Sequence, residues 1–510
     1  MVRSSLIVAL VAAFANLVSF ANQLVLAHFF GAGAEMDGYL AGASLPLLIS
    51  GLVTGILAYQ LVPALTRAAE TPGMEPEFSG SVFLGLIVVL SMIAVAGFAV
   101  GPRLVALLNP DLTGANLAAA RAVARLTWLT LPCAILSTYF TASLNVRHSF
   151  IIAAVASPIP MVGAMIGCIV GYASRGVVSI SLGLLAGHLF LFCVLGVRTG
   201  NLVGLWSAGW RAPKRAMVQA REAPWSAAAL LIFVIYPFSD VFWGSRLGPS
   251  ATSYLGYVQR LVVGIGGVTV AGATTVLFPH LARLSAQSEH AVFRANVSAG
   301  LRAMLVCLAP VAAIFAVLGL PVLQLLFQRG AFELRDSRAI AQLMPGMLCG
   351  LVAMSCAGLL FKALFAGGAV RVAGILGVGG AGLYFLLSGL LAHKVGLVGI
   401  SIAYAVNWWL VLVAGLAFFR ERPTAEKKAP GAGQFIARLA FHTLLAAGVA
   451  WLGTRWLPPP ESAETLRRFL FTVGIAACSG LCYLVAGTTI FRLRELNVIT
   501  EHFVALGRRT

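Results

Sequence analysis

Long apolar stretches alternate with short polar segments along the whole chain of 510 residues. About fourteen of the stretches reach roughly 20 residues, the length at which an α-helix rising 1.5 Å per residue crosses a bilayer. The pattern therefore predicts an all-α polytopic membrane protein with about fourteen transmembrane helices. The approximate cores of the predicted spans are 4–29, 38–65, 79–102, 119–143, 150–173, 177–197, 224–246, 254–281, 297–318, 339–365, 371–392, 396–419, 435–456 and 469–491.

The eighth predicted span contains an isolated cation. Residues 254–283 begin with Tyr254 and Tyr257 and then continue as a mainly apolar stretch. Arg260 lies near the start, and no acidic residue follows or precedes it by one helical turn. Because a cation in hydrocarbon costs about 2.5–3.5 kcal/mol on insertion scales, we expect Arg260 to face a water-filled cavity. The alternative is that its side chain extends to nearby lipid headgroups.

The composition supports the membrane assignment and explains the charge. The chain is 60% hydrophobic and only 10% charged, whereas soluble domains have about 25% charged residues. The net charge of +18 does not indicate nucleic acid binding, because no soluble basic module is visible. An even number of spans places both termini on one side, and assigning that side to the cytoplasm gives it the larger share of the basic residues.

One of the basic segments also contains aromatic residues. Residues 198–221 include Trp206 and Trp210 beside Arg211 and Lys214. Tryptophan favours the membrane–water interface, and basic residues favour the cytoplasmic side. We interpret this segment as a determinant of topology, with a site for anionic lipid as the alternative.

Motifs for enzymatic chemistry are absent from the sequence. There is no HExxH sequence, no P-loop and no pair of carboxylates within a span. The eight cysteines lie in apolar segments without CxxC spacing, so we predict neither a metal site nor a disulfide framework. We therefore predict a transporter with no catalytic residues, no metal and no cofactor. Its driving force would be an H⁺ or Na⁺ gradient, the membrane potential, or the gradient of its own substrate.

An internal repeat is visible without gaps. A shift of 216 residues places the segment 63–67 on 279–283, and both segments begin with proline and end with arginine. The same shift places Leu45 on Leu261. The second span therefore corresponds to the eighth, although chance similarity between two apolar helices is the alternative.

The repeat predicts two pseudo-symmetric six-helix lobes. The first lobe covers about 1–220 and the second about 221–430, while 431–510 adds two helices and a cytoplasmic tail. Two repeats around a central cavity are a common transporter plan, in which one lobe rocks against the other to give alternating access.

Several local motifs are similar to those of one known family. They are Phe29–Asp37, Leu45-Pro46, Gln60–Pro63, Asp240 twenty residues before Arg260, Tyr257–Leu261, Leu326–Phe332, Gly396–Ser401 and Asn407. With the predicted arrangement of six, six and two helices, they make the chain resemble the MurJ/MviN lipid II flippase family of the multidrug/oligosaccharidyl-lipid/polysaccharide exporter superfamily.

The resemblance implies a role in peptidoglycan biosynthesis, and so in cell wall biogenesis and cell shape. It implies transport of a polyprenyl-pyrophosphate-linked glycan, with lipid II as the first hypothesis, from the cytoplasmic to the periplasmic leaflet of the bacterial inner membrane. Membrane lipids and envelope-synthesis enzymes would be its partners. The two helices within 431–510 would line a groove for the lipid tail, with a purely structural addition to the fold as the alternative.

The sequence differs from this family at positions where the family has positively charged residues in its cavity. The family has arginines in its first and second helices that are taken to hold the pyrophosphate, whereas this sequence has Asn16, Asn22 and Ser50. Arg260 is the expected cation that plainly remains. Neutral donors form hydrogen bonds about half as strong as charge-assisted ones. These four residues are the candidate substrate-binding residues of the cavity.

Two acidic residues are candidates for gating or coupling. Asp37 would either cap the N-terminus of the second helix or act as a periplasmic gate, as the resemblance implies. Asp240 follows Pro237 within the apolar seventh span, and intramembrane acids usually have a function. We expect Asp240 to pair with Arg260 rather than to be a lone structural acid.

Other functions stay open at this point. The missing arginines leave room for a lipid-linked exopolysaccharide as the cargo. Asp240 would also suit a cation-coupled multidrug antiporter of the same superfamily. A scaffold without transport activity, which recruits envelope enzymes, is the third alternative.

Overall fold

The computed structural model describes residues 2–70, 74–147, 149–200, 202–211, 223–267, 290–419, 432–456 and 465–490, and every structural statement below concerns these residues. They form helices joined by short turns and contain no β-strand. The helices are α1 Val2–Phe30, α2 Ala34–Glu70, α3 Met74–Leu108, α4 Gly114–Val146, α5 Phe150–Ala156, α6 Ile159–Arg175, α7 Val178–Thr199, α8 Leu202–Arg211, α9 Ala223–Gly244, α10 251–267, α11 His290–Val317, α12 Gly319–Leu326, α13 Leu334–Ala366, α14 Val370–Val395, α15 Leu397–Phe419, α16 Ala432–Trp456 and α17 Thr465–Thr489.

The lengths of these helices confirm the predicted class. Within the described residues, 12 helices are long and apolar enough to cross a membrane, and α1 contains the shorter apolar helix Phe14–Phe30. The eighth predicted span begins in α10 and continues beyond residue 267, outside the described residues. The chain is therefore an all-α, multi-pass membrane protein, because a bilayer requires backbone groups to be hydrogen-bonded within each helix.

The fifth predicted span, 150–173, is not one continuous helix. It consists of α5 and α6, which are separated by a turn at Ser157 and Pro158. Proline has no backbone N–H and its ring clashes with the preceding turn, so it interrupts a helix. It is tolerated at the start of α6, where N–H groups lack intrahelical partners.

Some sequence-based predictions concern residues outside the described part of the chain. They include the second copy of the repeat motif, 279–283, the basic residues of 212–221 and 420–428, and the tail from residue 492. These predictions stay as they were made.

The chain divides into two compact units, of which the first contains Met1–Gly256, Arg329–Glu333 and Val370–Phe385. Its core includes Trp128, Tyr139 and Phe140 of α4, which are almost completely buried. Gly97 of α3 faces the Trp128 indole so closely that a Cβ atom there would lie 2.1 Å from the ring. Small residues allow this close approach of helices in a membrane.

The second unit contains Tyr257–Gln328, Leu334–Ala369 and Leu386–Thr510. Here α17 packs on α11, and the Tyr483 hydroxyl donates to the carbonyl oxygen of Val306 at 2.8 Å. The lobes 1–220 and 221–430 and the C-terminal segment 431–510 rest on an internal repeat, which these units do not test, and they stay a prediction.

Candidate functional site

The Asp37 carboxylate binds the first turn of another helix. Asp37 lies near the start of α2 and is buried. Its Oδ2 accepts from the Ser250 N–H at 2.6 Å, and its Oδ1 accepts from the Ser253 N–H at 2.7 Å and from the Ser253 Oγ at 2.5 Å. The first N–H groups of a helix have no intrahelical partner, and a carboxylate there is stabilised by the helix dipole. Asp37 therefore caps α10 and joins it to α2.

Asp37 is not the N-cap of its own helix, which was one of the two alternatives from the sequence. Helix α2 already begins at Ala34, and the Asp37 N–H donates to the carbonyl oxygen of Gly33 at 3.1 Å. The side chain consequently points away from the N-terminus of α2 to that of α10.

The turn before α10 is shaped for this contact. Gly248 and Ser250 have φ angles of 109° and 70°. Only glycine adopts positive φ without cost, and a non-glycine residue there costs on the order of 1–3 kcal/mol. The hydrogen bond from Ser250 to Asp37 stabilises this conformation.

A second contact lies at the end of α1. The Ala331 N–H donates to the His28 carbonyl oxygen at 2.9 Å. Gly31 and Gly330 let the two segments approach, since a Cβ atom at either residue would lie 2.3 Å from a backbone oxygen of the other segment. The segment Arg329–Glu333 therefore docks on the turn between α1 and α2.

A third contact involves Arg246, just beyond α9. Its guanidinium donates to the carbonyl oxygen of Leu108 at 3.1 Å and to that of Phe242, and it lies 3.7 Å from the centre of the Phe242 ring. Desolvation lowers the pKa of Arg246 and the Asp111 carboxylate opposes this shift. Arg246 thereby fixes the end of α3 to the end of α9. The predicted topology places all three contacts on the periplasmic side.

The other half of α2 contacts α9. The Gln60 amide donates to the Ser226 hydroxyl at 2.7 Å. Closer to the middle, a Cβ atom on Gly55 would lie 3.0 Å from Leu230. Helix α2 is thus joined to α10 near its start and to α9 near its end.

Asp240 occupies a buried polar site between α9 and α14. The Tyr384 hydroxyl donates to Asp240 Oδ1, and the Tyr384 ring packs on Tyr236 with 4.2 Å between ring centres. Asp240 Oδ2 has no hydrogen-bond partner among the described residues. A buried acceptor without a partner costs about 1–3 kcal/mol. This carboxylate is therefore a candidate for binding an ion or a proton. Its predicted pairing with Arg260 stays a prediction.

The predicted cavity residues are distributed over both units. Asn16 is exposed on α1, whereas Asn22 is buried with its amide nitrogen 3.7 Å from Met161 Sδ. Ser50 is half-buried in α2. These three residues belong to the first unit, and half-buried Arg260 of α10 belongs to the second. Their convergence on one cavity stays a prediction.

Sequence reasoning missed the partners of both acids, Ser253 and Tyr384. A signal for Ser253 was available, because it follows Asp37 by 216 residues, which is the shift of the predicted repeat. No comparable signal marks Tyr384. Among the described residues, no group of three or more His, Cys, Asp or Glu side chains could hold a metal ion.

Comparisons with known proteins agree with the fold and the motifs. A family model described as "Lipid II flippase MurJ" matches residues 26–459. The chain is 25% identical to the "Probable lipid II flippase MurJ" of Haemophilus influenzae, over 94% of this chain and 98% of that protein.

Two solved structures share the fold. The structure titled "Lipid II flippase MurJ, inward closed conformation" superposes with a TM-score of 0.76 at 16% identity, over 96% of this chain and 99% of that one. A multidrug resistance MATE family transporter of the MOP superfamily superposes with a TM-score of 0.65 at 13% identity, over 80% and 94% of the two chains.

Proposed function

The chain belongs to the lipid II flippase MurJ family, and on that premise we propose that it moves lipid II from the cytoplasmic to the periplasmic leaflet of the bacterial inner membrane. It works by alternating access, with both termini in the cytoplasm. Its cargo is a polyprenyl-pyrophosphate-linked glycan, and its product serves peptidoglycan synthesis. The names of its relatives and the motifs of the sequence support this proposal.

The contact between Asp37 and α10 is the observation that supports a transport cycle best. Alternating access needs a closure that can open and reform at one side of the cavity. Hydrogen bonds to a charged group contribute about 1.5–3 kcal/mol each, and three of them join Asp37 to Ser250 and Ser253. If the closed conformation is more stable than the open one by a few kcal/mol, the open state is populated at about 0.1–10%. Asp37 is then the gate residue of the periplasmic side.

The cargo would be held by Arg260 together with neutral donors. A guanidinium binds phosphate oxygens with two parallel N–H groups, and it is the strongest phosphate ligand in the candidate set. Asn16, Asn22 and Ser50 can donate further hydrogen bonds without charge. The glycan and pyrophosphate enter this polar cavity, while the polyprenyl tail stays in the lipid beside α16 and α17.

Asp240 would couple transport to an ion gradient. Its buried carboxylate has one oxygen on Tyr384 and one without a partner among the described residues. A proton or Na⁺ at the second oxygen would neutralise the charge and change the stability of the contact between α9 and α14. Membrane lipids are the further partners that the fold requires, and envelope-synthesis enzymes are the proposed protein partners.

The decisive experiment combines complementation with reconstitution. The wild-type protein should rescue a strain depleted of its lipid II flippase, and it should flip lipid II in proteoliposomes. Arg260→Ala should abolish both activities, whereas the matched change at an exposed arginine of α13, Arg338→Ala, should preserve them.

Undiminished flipping of lipid II by Arg260→Ala would contradict the proposed role of Arg260. If the wild-type protein does not flip lipid II but does transport a lipid-linked exopolysaccharide unit, its cargo is that unit rather than lipid II. Proton- or Na⁺-driven efflux of drugs would favour an antiporter. Binding of envelope enzymes without any transport would favour a scaffold.

A further inference from the structure

Two arginines lie on the exposed side of α4. Arg125 follows Arg121 by four positions, so both lie on one side of the helix, and Leu129 continues this side by one more turn. All three residues are exposed. Among the described residues, neither guanidinium forms an ion pair. The proposed transport cycle does not use these two cations, which leaves them without an assigned role.

Helix α3 lies directly beside the arginines. It packs on α4 at Trp128, because a Cβ atom on Gly97 would lie 2.1 Å from the indole and one on Gly101 would lie 2.4 Å from its Nε1. The Arg125 guanidinium carbon lies 6.0 Å from the centre of the Phe98 ring of α3, at the outer limit of a cation–π contact. The outer sides of the two helices therefore form one continuous surface.

The α3 part of this surface is apolar. Val88, Val95 and Phe98 are exposed and are spaced by seven and three positions, which places them on one side of the helix. Together with the two arginines and Leu129, they form the surface that we call the α3–α4 face. Apolar side chains avoid water, so this face of a membrane protein borders the acyl chains of the lipid.

The arginines lie where the acyl chains meet the headgroups. Helix α4 has 33 residues and is about 50 Å long, so it extends beyond a hydrocarbon core of about 30 Å by about 10 Å at each end. Arg121 and Arg125 lie about 10 and 16 Å from the first residue, Gly114, at 1.5 Å per residue. Their long side chains can extend toward the headgroups from this depth. A guanidinium in this setting is stable when an anionic group neutralises it.

Membrane topology does not explain these two cations. Basic residues are retained on the cytoplasmic side, whereas the predicted topology places the turn between α3 and α4 on the periplasmic side. The two arginines therefore require a local partner, and the phosphate of a neighbouring lipid is the anionic group available at this depth.

We propose that the α3–α4 face binds an anionic phospholipid, whose phosphate accepts hydrogen bonds from Arg121 and Arg125 and whose acyl chains lie along Val88, Val95 and Phe98. With the predicted orientation, this lipid belongs to the periplasmic leaflet. The Cβ atoms of residues four apart on a helix lie about 5–6 Å from each other, so both guanidiniums reach one phosphate. Each guanidinium can bind two phosphate oxygens with parallel N–H groups.

The two adjacent cations discriminate between phospholipid headgroups. Phosphatidylglycerol has a phosphate and no cation, so its net negative charge faces both guanidiniums. Choline and ethanolamine headgroups have the same phosphate, but each also has a positive charge that the guanidiniums repel. The face therefore prefers a lipid with a net negative charge over a zwitterionic one.

The test measures lipid binding to the purified full-length protein by native mass spectrometry. Phosphatidylglycerol, phosphatidylcholine and phosphatidylethanolamine with identical acyl chains are compared. Phosphatidylglycerol should bind about tenfold more tightly than the other two, because charge-assisted hydrogen bonds distinguish it. Equal binding of the three lipids by the wild-type protein would overturn the proposal without the use of any variant.

Variants then locate the site. The double variant Arg121→Gln/Arg125→Gln should lose about tenfold in affinity for phosphatidylglycerol and keep its affinity for phosphatidylcholine, which also shows that the variant is folded. Arg121→Lys/Arg125→Lys should keep part of the preference, because it retains the charge without the planar donors. Arg338→Gln is the matched control, since Arg338 is exposed, lies near the start of α13 and is remote in sequence from the α3–α4 face.

Three outcomes would refute the proposal. Unchanged binding of phosphatidylglycerol by the glutamine double variant would refute the location. An equal loss in Arg338→Gln would show that the preference comes from the diffuse positive charge of the whole surface. Displacement of phosphatidylglycerol by an equal concentration of soluble glycerol 3-phosphate would show that the acyl chains do not contribute, and the lipid part of the proposal would be wrong.

Discussion

The Asp37 carboxylate binds Ser253, which lies 216 residues further along the chain and so occupies the equivalent position of the predicted repeat. Leu40 and Gly256 form a second such pair, since a Cβ atom on Gly256 would lie 2.9 Å from the Leu40 side chain. Contacts between equivalent residues occur on a two-fold axis. We therefore propose that α2 and α10 meet on the pseudo-symmetry axis of the two lobes. The pairing joins an acid on one side to a hydroxyl and an N–H group on the other, whereas two carboxylates at these positions would repel each other.

Weakening this contact should open the predicted periplasmic side. Asp37→Asn removes the charge and one acceptor oxygen, and Ser253→Ala removes one donor. A loss of about 1.5–3 kcal/mol corresponds to roughly a tenfold or greater rise in the open population. A cysteine introduced at the buried position Asn22 should then react at least about tenfold faster with an impermeant thiol reagent added from outside.

Ser245→Ala provides the control for this experiment. Ser245 lies in the same inter-helix segment, and its hydroxyl donates to the Phe242 carbonyl oxygen at 3.1 Å. In the Ser245→Ala variant, the labelling rate of the cysteine at position 22 should stay at the value measured without a gate substitution. Unchanged labelling in both gate variants would show that Asp37 does not control opening.

Tyr384→Phe should destabilise the site of Asp240. The change removes the donor to Asp240 Oδ1 and leaves a buried carboxyl group without this hydrogen bond. The expected loss in the free energy of unfolding is about 1–3 kcal/mol, measured by thermal unfolding with and without an ion gradient in vesicles. Tyr404→Phe is the control, since that hydroxyl donates to the weak acceptor Met354 Sδ at 3.1 Å. Additive effects of Asp240→Asn and Tyr384→Phe in a double-mutant cycle would argue against a functional pair.

Asp240 and Arg260 should compensate each other if they share a wet cavity. The exchange variant, with Asp240→Arg and Arg260→Asp in one chain, should recover part of the flipping activity that each single variant loses. The coupling energy of the cycle measures the interaction. A coupling energy near zero would show that Asp240 and Arg260 do not interact, and Tyr384 would then be the relevant partner of Asp240.

Restoring arginine at Asn16, Asn22 or Ser50 should preserve or improve transport if the cargo contains pyrophosphate. A guanidinium gains charge-assisted hydrogen bonds to phosphate. Without such a cargo, each new charge has a desolvation cost that nothing offsets, and activity or expression should fall. Flipping assays in proteoliposomes with defined lipid-linked substrates distinguish the two outcomes. Reduced lipid II flipping in all three variants would favour a less anionic cargo.

The predicted orientation can be measured with cysteine reporters. Cysteines at positions 112 and 331 should react with an impermeant reagent in intact cells. Cysteines at 214 and 427 should react only after permeabilisation, because basic segments are retained in the cytoplasm. Labelling of position 214 in intact cells would contradict this orientation and indicate the opposite topology.

The sequence was sufficient for the fold class and the family, and it singled out Asp37 and Asp240, whose roles in gating and coupling stay a prediction. Hydropathy specifies membrane helices strongly because the bilayer requires internally satisfied backbone groups. Asp240 stands out because it interrupts an apolar span, and Asp37 because it ends a motif that resembles one of the family. Even the contact of Asp37 with Ser253 follows the shift of the repeat, although the shift alone does not say which helix is capped.

Only the tertiary structure decided which groups meet. Tyr384 follows Asp240 by 144 residues, and nothing local to either residue encodes that distance. The break at Pro158 is local, yet the apolar pattern continues across it, so hydropathy alone predicts one continuous span where the structure has two helices. The ion pair between Glu75 and Arg147, with 3.6 Å between Oε1 and Nη2, forms where the start of α3 meets the end of α4. Helix formation is dictated by neighbours in sequence, whereas hydrogen-bond partners depend on how the helices pack, and packing depends on the shapes of all their faces together.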